Sequence, residues 1–209
     1  HSGLNIPDPQ NVAALRAAAA VKLEQRQAEK KNQQDKVASQ AQGKIQSLAI
    51  ANGSEPYLVK KGINAPTNVY ADDKGTLYVP LQNVSGEIRS FETITANGNK
   101  NLLTGVEVWG NYAVIGGELK NGDAIHYAEG LATAQSIHEA INAPVVFTVN
   151  AGNMVQVAKN LAEAYPDSDH LFFADNDIYK EKNAGLQYAN QAAEITSGAV
   201  CVPEFKKPD

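Results

Sequence analysis

The chain has 209 residues, 43% of them hydrophobic, which is enough apolar sequence for one large or two small globular units. Its longest apolar runs are far shorter than the roughly 20 residues that a membrane-spanning helix requires; since the chain also opens with no signal-peptide pattern, we expect a cytoplasmic protein with no membrane partner. The formal net charge of −5 argues against a broad basic groove.

Residues 1–50 are predicted to form a helical extension. The segment 11–42 has neither proline nor glycine and is rich in Ala, Gln, Lys and Glu, which indicates one long helix. Within residues 24–36 only Ala28 is apolar, a pattern typical of a solvated spacer. Because residues 1–50 carry seven Lys/Arg against four Asp/Glu, a weakly basic arm that contacts nucleic acid or a partner helix stays open as an alternative.

Residues 51–119 are predicted to form a small β-rich α+β subdomain. The predicted elements are a helix at 54–62 that ends at glycine, strands at 76–81 and 87–94 joined by a hairpin turn, and extended segments at 106–108 and 112–115. Arg89 and Lys100 could face a phosphate, although strand-edge cations are more often simply solvated.

Residues 120–209 show alternating strand and helix patterns. The predicted order is strand 123–128, helix 130–141, strand 144–149, a helix introduced by the N-cap Asn150, strand 171–174, helix 184–196 and strand 199–202. This order is typical of an α/β fold with a mainly parallel, doubly wound sheet, whose ligand site lies beyond the carboxyl ends of the strands. Cys201 excludes an internal disulfide and a multi-cysteine zinc site, and its apolar neighbours predict a buried thiol.

Three carboxylates follow two of these strands. Asp175 and Asp177 come directly after the strand at 171–174, and Glu129 follows the strand that ends at residue 128. Parallel strands end at one edge of a sheet, so the three acids are predicted to lie close enough to share one or two divalent cations. Carboxylate oxygens suit Mg²⁺, which favours phosphoryl chemistry.

The motifs of this half resemble the TOPRIM domain shared by bacterial-type primases, topoisomerases and some nucleases. The matching segments are Glu129-Gly-Leu-Ala-Thr-Ala134, Asn150-Ala-Gly-Asn153, Asp175-Asn-Asp177 and Asn183-Ala-Gly185. The upstream segments Tyr57-Leu-Val-Lys-Lys-Gly-Ile63, Gly86-Glu-Ile-Arg-Ser-Phe91 and Lys100-Asn-Leu-Leu103 are similar to the subdomain that precedes TOPRIM in primases of plasmids, conjugative elements and phages. The resemblance covers about residues 54–205.

This resemblance implies a DNA primase catalytic core, which makes short RNA primers on single-stranded DNA by metal-dependent nucleotidyl transfer. It implies that Glu129, Asp175 and Asp177 are the catalytic acids and hold Mg²⁺ or Mn²⁺. The residues that it implies for nucleotide or template binding are Lys60, Lys61, Arg89, Lys100, Asn150, Asn153 and Asn183. The implied partners are single-stranded DNA and nucleoside triphosphates, with a helicase or another replication or conjugation protein as a further candidate.

Aromatic and histidine side chains are ambiguous. The aromatic residues that could stack on template bases are Tyr78, Phe91, Trp109 and Tyr112, but core packing is the more common role of such residues on strands. The three histidines at positions 126, 138 and 170 are assigned no catalytic role.

Two departures from the family pattern and three alternatives remain. Primases of this type usually carry a cysteine-rich zinc ribbon, which this chain lacks, so we expect weak synthesis by the chain alone. The spacing from Asp177 to Gly185 is also longer than in replicative primases. The alternatives are a haloacid-dehalogenase-type phosphatase, disfavoured by the late position of the aspartates, a TOPRIM nuclease or topoisomerase, and a non-catalytic DNA-processing or replication accessory module.

Overall fold

The computed structural model describes residues 9–175 and 183–203. It begins with helix α1, Pro9–Gln46, a continuous helix of 38 residues. The predicted helix at 11–42 is therefore confirmed and extends further. The last turns of α1 bury Ala41 and Ile45 against Phe91, and this apolar contact fixes that end of the helix on a sheet.

The first sheet contains five antiparallel strands in the order β1-β2-β3-β4-β5. The strands are β1 (Ala49–Ile50), β2 (Tyr70–Ala71), β3 (Leu77–Gln82), β4 (Ile88–Ile94) and β5 (Lys100–Leu102), with helix α2 (Pro56–Lys61) between β1 and β2. The predicted β3–β4 hairpin is confirmed. No strand forms at 106–108, where an extended segment was predicted; a turn follows at residues 109 and 110, and the Asn111 side chain donates to the Glu107 carbonyl across it.

The second sheet has the order β10-β9-β7-β8-β6. Its strands are β6 (Ala113–Ile115), β7 (Ile125–Ala128), β8 (Val145–Phe147), β9 (His170–Phe173) and β10 (Ala199–Cys201), and its helices are α3 (Leu131–Ile141), α4 (Ala151–Ala164) and α5 (Ala184–Thr196). Strands β7 to β10 are parallel, and β6 pairs antiparallel with β8. The predicted α/β class with a mainly parallel sheet is confirmed. The domain boundary at residue 120 stays a prediction; β6, which precedes this residue, belongs to the second sheet.

Both faces of the second sheet are covered by helices. In β8, Val145 and Phe147 pack in the cluster that contains the first turns of α3, whereas Val146 packs with α4 and α5. The α3 cluster also includes Leu77 and Ile94 of the first sheet. A continuous apolar core therefore joins the two sheets and fixes α2 and β5 beside the start of α3.

The structure also bears on two further predictions, the burial of Cys201 and the lack of a membrane-spanning helix. Cys201 is exposed, so its predicted burial is wrong: among the described strands β10 is the last of its sheet, next to β9, and the residues on either side of Val200 are exposed. Among the described residues, no helix has the length and apolarity that crossing a membrane requires.

Candidate active site

The carboxyl ends of β7 and β9 bring two of the predicted acids to one edge of the second sheet. These strands are parallel neighbours, with Ala128 opposite Phe173. Glu129 follows β7 directly, and Asp175 lies two residues beyond the end of β9. The two acids thus emerge side by side, as the strand order predicts. Asp177 lies outside the described residues.

A glycine at the start of α5, Gly185, packs closely against the backbone of Asp175. A Cβ atom added to Gly185 would lie 2.6 Å from the Asp175 carbonyl oxygen and 3.4 Å from its Cβ. Carbon cannot approach a carbonyl oxygen so closely without displacing it. The absence of a side chain at this position lets α5 begin directly against the acid.

Replacing Gly185 with alanine is therefore expected to displace Asp175 and to reduce catalysis by about tenfold or more, as small misplacements of reacting groups do. Gly152→Ala is the matched control: Gly152 is likewise the second residue of its helix, and an added Cβ there meets its nearest neighbour at an ordinary 3.5 Å. Steady-state primer synthesis by the two variants measures the difference. Equal activities would contradict the role of this contact.

Next to these acids the structure contains an open cleft of about 350 Å³. Its lining residues come from α2, the β4–β5 turn, the start of α3 and the end of β9: Tyr57, Lys60, Lys61, Asn97, Gly98, Lys100, Gly130, Ala132, Thr133 and Asp175. Three predicted nucleotide-binding lysines are thus brought together with a predicted catalytic acid. Residues far apart along the chain, from Lys60 to Asp175, meet here because the shared core holds the two sheets together.

The lysines and the acid line the same cleft from different elements. The Lys100 Nζ atom is 3.8 Å from the place where a Cβ of Gly130 would stand, which puts the ammonium group at the start of α3, beside Glu129. The Lys61 Nζ atom lies 6.0 Å from the centre of the Tyr57 ring. A polyanion in the cleft would meet ammonium groups and the N-terminal dipole of α3.

The acids at this edge fit a hard divalent cation in donor type. Carboxylate oxygens are the ligands that Mg²⁺ and Mn²⁺ prefer. Within residues 9–175 and 183–203 no cluster of three or more His, Cys, Asp or Glu side chains could hold a metal, so the described part supplies two predicted ligands, Glu129 and Asp175.

The asparagines predicted to contact nucleotide have structural partners. The Asn150 side chain accepts a hydrogen bond from the Asn153 amide at 2.9 Å, and the Asn183 side chain accepts one from the Leu186 amide at 3.2 Å. Each is the N-cap of a helix at the carboxyl edge of the sheet, as predicted for Asn150. These contacts fix where α4 and α5 begin.

Asn153 is buried and fully engaged within the protein. Its Oδ1 accepts from the Gly110 amide at 2.7 Å, and its Nδ2 donates to the carbonyls of Asn111 (2.9 Å) and Thr148 (3.0 Å). Thr148 precedes Val149, which has the unusual φ of 72° for a β-branched residue. Asn153 thus stabilises a strained turn at the sheet edge, and its contact with nucleotide stays a prediction.

Arg89 lies outside the cleft, and its contact with nucleotide or template stays a prediction. It lies at a register shift of the β3–β4 pair, between Ile88 and Ser90, and faces α1, as Phe91 does. Its guanidinium donates to Asp35 of α1 at 2.7 Å and approaches Glu107 at 3.5 Å. The hydrogen bond to Asp35 raises the pKa of Arg89. The ion pair between Arg89 and Asp35 therefore links α1 to the first sheet. This contact lies on the face of the sheet opposite the one that carries Lys100.

Most of the aromatic candidates are packed inside the protein. Tyr78 and Phe91 contact each other edge to face, with ring centres 5.2 Å apart, and Tyr112 is buried. Trp109 differs, because 64% of its surface is exposed. Core packing thus accounts for three of the four aromatics.

The three histidines considered above have local hydrogen-bond partners. His170 Nδ1 lies 2.8 Å from the Tyr127 hydroxyl, while Nδ1 of His138 and of His126 lie 2.9 Å and 3.3 Å from backbone carbonyls. Burial lowers the pKa of His170, which disfavours a positive charge there. These contacts give each ring a structural role.

Sequence reasoning missed several residues of the cleft. Tyr57, Asn97 and Thr133 line it, and Glu92 is buried within the same sheet that supplies Lys100. Asn97-Gly98 is a turn signal three residues before Lys100, and Thr133 belongs to the segment that follows Glu129. Glu92 carries a weaker signal, as the single acid of a strand that also contains Arg89.

The sequence is similar to those of known proteins along nearly its whole length. No family model matches the sequence. Two curated Escherichia coli proteins named DNA primase TraC are each 30% identical to it, over 205 and 203 residues; these cover 95% and 94% of this chain but only 19% and 14% of the relatives. The chain therefore spans less than a fifth of the length of these relatives.

A solved structure gives a similar fold. The primase fragment of the bacteriophage T7 primase-helicase protein aligns with a TM-score of 0.51 and 17% sequence identity, covering 76% of this chain and 70% of the fragment. At this identity the likeness concerns the fold. The two-sheet architecture described above is thus one that a known primase fragment also adopts.

Proposed function

We propose that the chain is the catalytic core of a DNA primase of the TOPRIM class, which joins ribonucleotides into short primers on a single-stranded DNA template. The observation that carries this proposal is the cleft in which Lys60, Lys61 and Lys100 face Asp175 at the carboxyl edge of a parallel sheet. The 30% identity to proteins named DNA primase TraC supports it, and so does the fold shared with the phage primase fragment.

The chemistry assigned to the cleft is nucleotidyl transfer. The 3′-oxygen of one ribonucleotide bonds to the α-phosphorus of the next, and pyrophosphate leaves. The three lysines would bind the triphosphate and stabilise the charge of the departing pyrophosphate. Glu129, Asp175 and Asp177 would hold Mg²⁺ or Mn²⁺, which supplies positive charge at the reacting phosphate. Glu129 is alternatively the general base for the attacking hydroxyl.

The predicted division into residues 1–50, 51–119 and 120–209 fits this scheme. The middle segment would supply the lysines of α2 and β5, and the last would supply the acids. The reaction would then take place between the two sheets, with the template against the first sheet and the loop that carries Trp109. A helicase is a candidate partner, since the similar phage fragment comes from a primase-helicase protein.

Template-dependent synthesis tests the proposal directly. The purified chain is incubated with ribonucleotides, single-stranded DNA and Mg²⁺ or Mn²⁺, and the labelled products are resolved by length. We expect weak synthesis of short oligoribonucleotides that requires both the template and the cation. Binding of single-stranded DNA without nucleotide binding or synthesis would contradict the proposal and would favour the accessory module.

Lys100→Gln is expected to raise the KM for ribonucleotides about tenfold with a smaller change in kcat, because a charge-assisted contact to phosphate is worth about 1.5–3 kcal/mol. Lys120→Gln is the control, since Lys120 is exposed and precedes β7 at the opposite, amino edge of the sheet. Initial rates across a range of nucleotide concentrations measure both constants. Identical constants for the two variants would remove Lys100 from the nucleotide site.

A further inference from the structure

Glu92 is a buried carboxyl group beneath the cleft. The residue is only 3% exposed, and its Oε2 atom has no hydrogen-bond partner among the described residues. A buried carboxylate without full hydrogen bonding is costly, and such groups bind a proton to become neutral. Neither the fold nor the proposed chemistry accounts for an acid at this position.

The strand register places Glu92 beside Lys100. Glu92 is opposite Leu102 and Ile94 is opposite Lys100 in the β4–β5 pair. Because cross-strand partners share a face and side chains alternate, Glu92 and Lys100 are diagonal neighbours on the same face of the sheet. Burial raises the pKa of Glu92 to about 7, and the charge of Lys100 opposes this rise.

Helix α2 closes this face of the sheet. Burial raises the pKa of Tyr57 on α2, and the nearby charge of Glu92 raises it further. The charged groups of the surrounding elements are Lys60 and Lys61 at the end of α2, Lys100 on β5, and Glu129 and Asp175 at the ends of the second-sheet strands. The lysine charges favour ionised Glu92, and the two acids disfavour it.

A polyanion in the cleft changes that balance. Phosphate groups neutralise the lysine charges that stabilise the Glu92 carboxylate and add negative charge close to it. Both effects favour the neutral carboxyl group. Conversely, an ionised Glu92 attracts the Lys100 ammonium and repels phosphate, so a protonated Glu92 leaves Lys100 available to the ligand.

We propose that Glu92 is a positioning residue that couples nucleotide binding to proton uptake: its carboxylate accepts one proton from solvent as a nucleoside triphosphate binds to Lys100 and its neighbours. This inference rests on the proposed nucleotide site. The step forms one O–H bond on Glu92 and consumes one proton from the buffer, with no bond to the ligand. Affinity for the triphosphate then weakens with rising pH above neutrality, by up to about tenfold per pH unit.

The test compares wild type with Glu92→Gln, which keeps the shape of the side chain and cannot titrate. Calorimetric titration with Mg-ATP at pH 7.5, in buffers of different ionisation enthalpy, gives the number of protons taken up on binding. Titration of ATP itself is the same for both proteins and cancels in the difference. Wild type is expected to take up about 0.5–0.8 proton more than the variant, since a group with a pKa near 7 is mostly ionised at this pH. Equal uptake would overturn the inference and leave the nucleotide site intact.

A second measurement needs no variant. Carbon-13 NMR of the Glu92 carboxyl in the wild-type chain follows its protonation with and without Mg-ATP. We expect the titration midpoint to move upward by one pH unit or more in the presence of the nucleotide, and an unmoved midpoint with ATP bound would overturn the inference. If ATP binds neither protein, the proposed nucleotide site fails and this inference fails with it.

Discussion

Glu129→Gln and Asp175→Asn are each expected to reduce primer synthesis by about 10²–10⁴-fold, the range that loss of a group acting directly on the reaction produces. Each change keeps the volume of the side chain and removes its negative charge. Both residues lie at strand ends, outside β7 and β9, so we expect the thermal unfolding midpoint to stay within a few degrees of the wild-type value.

Controls separate this effect from a general loss of negative charge. Asp73→Asn and Glu163→Gln make the same chemical changes at exposed positions and should leave synthesis unaltered. Crystals soaked in Mn²⁺ with nucleotide should give anomalous density between Glu129 and Asp175 in wild type. Equal product from wild type and both acid variants would refute the catalytic assignment, even if the metal were bound.

Asn153→Ala is expected to lower the free energy of unfolding by about 3 kcal/mol or more. The substitution leaves the Gly110 amide and the Asn111 carbonyl without their buried partner, while the Thr148 carbonyl keeps the Asn150 amide as a donor; each unsatisfied group costs about 1–3 kcal/mol. Alanine itself favours the helix, so propensity does not contribute to the loss. Urea denaturation followed by circular dichroism measures the change.

Asn160→Ala, on the same helix, is the matched control. Its amide donates to the Gly110 carbonyl over a longer 3.4 Å and is only partly buried, so we expect a loss below about 1 kcal/mol. Asn153→Asp adds a second comparison, because it keeps the acceptor for Gly110 but turns a carboxylate towards two carbonyl oxygens. Near-normal stability of Asn153→Ala with a lost affinity for nucleotide would instead support its predicted ligand role.

The elements with strong local signals were predictable from the sequence. Residues 184–196 form a helix with the predicted bounds, and Asn150 is the predicted cap of α4, because capping chemistry and helical periodicity both act over a few residues. The strands β1, β2 and β5 were missed, since two or three residues are too few to show alternation; the strands β6, β8 and β10 also have three residues but lie within longer apolar stretches.

The composition of the cleft was only partly predictable. The sequence indicates that Lys60, Lys61 and Lys100 are cations, but their convergence on one cleft depends on how α2 and β5 pack beside α3. Arg89 and Lys100 are both single cations in strand sequences. In the structure they lie on opposite faces of the first sheet, Arg89 against α1 and Lys100 in the cleft. Such placement is decided by tertiary packing, which a single sequence does not encode in any short motif.

Helix α1 combines two stretches whose stability has different origins. From Val37 onward one face of the helix is buried on the first sheet, and the Asp35–Arg89 ion pair marks where this contact begins. Residues 13–33 have exposed side chains throughout, which corresponds to about 30 Å of helix held by backbone propensity alone. Their amide hydrogens can exchange with solvent through local fraying, independently of global unfolding. On heating, this stretch loses helicity gradually, ahead of the cooperative transition of the two-sheet body.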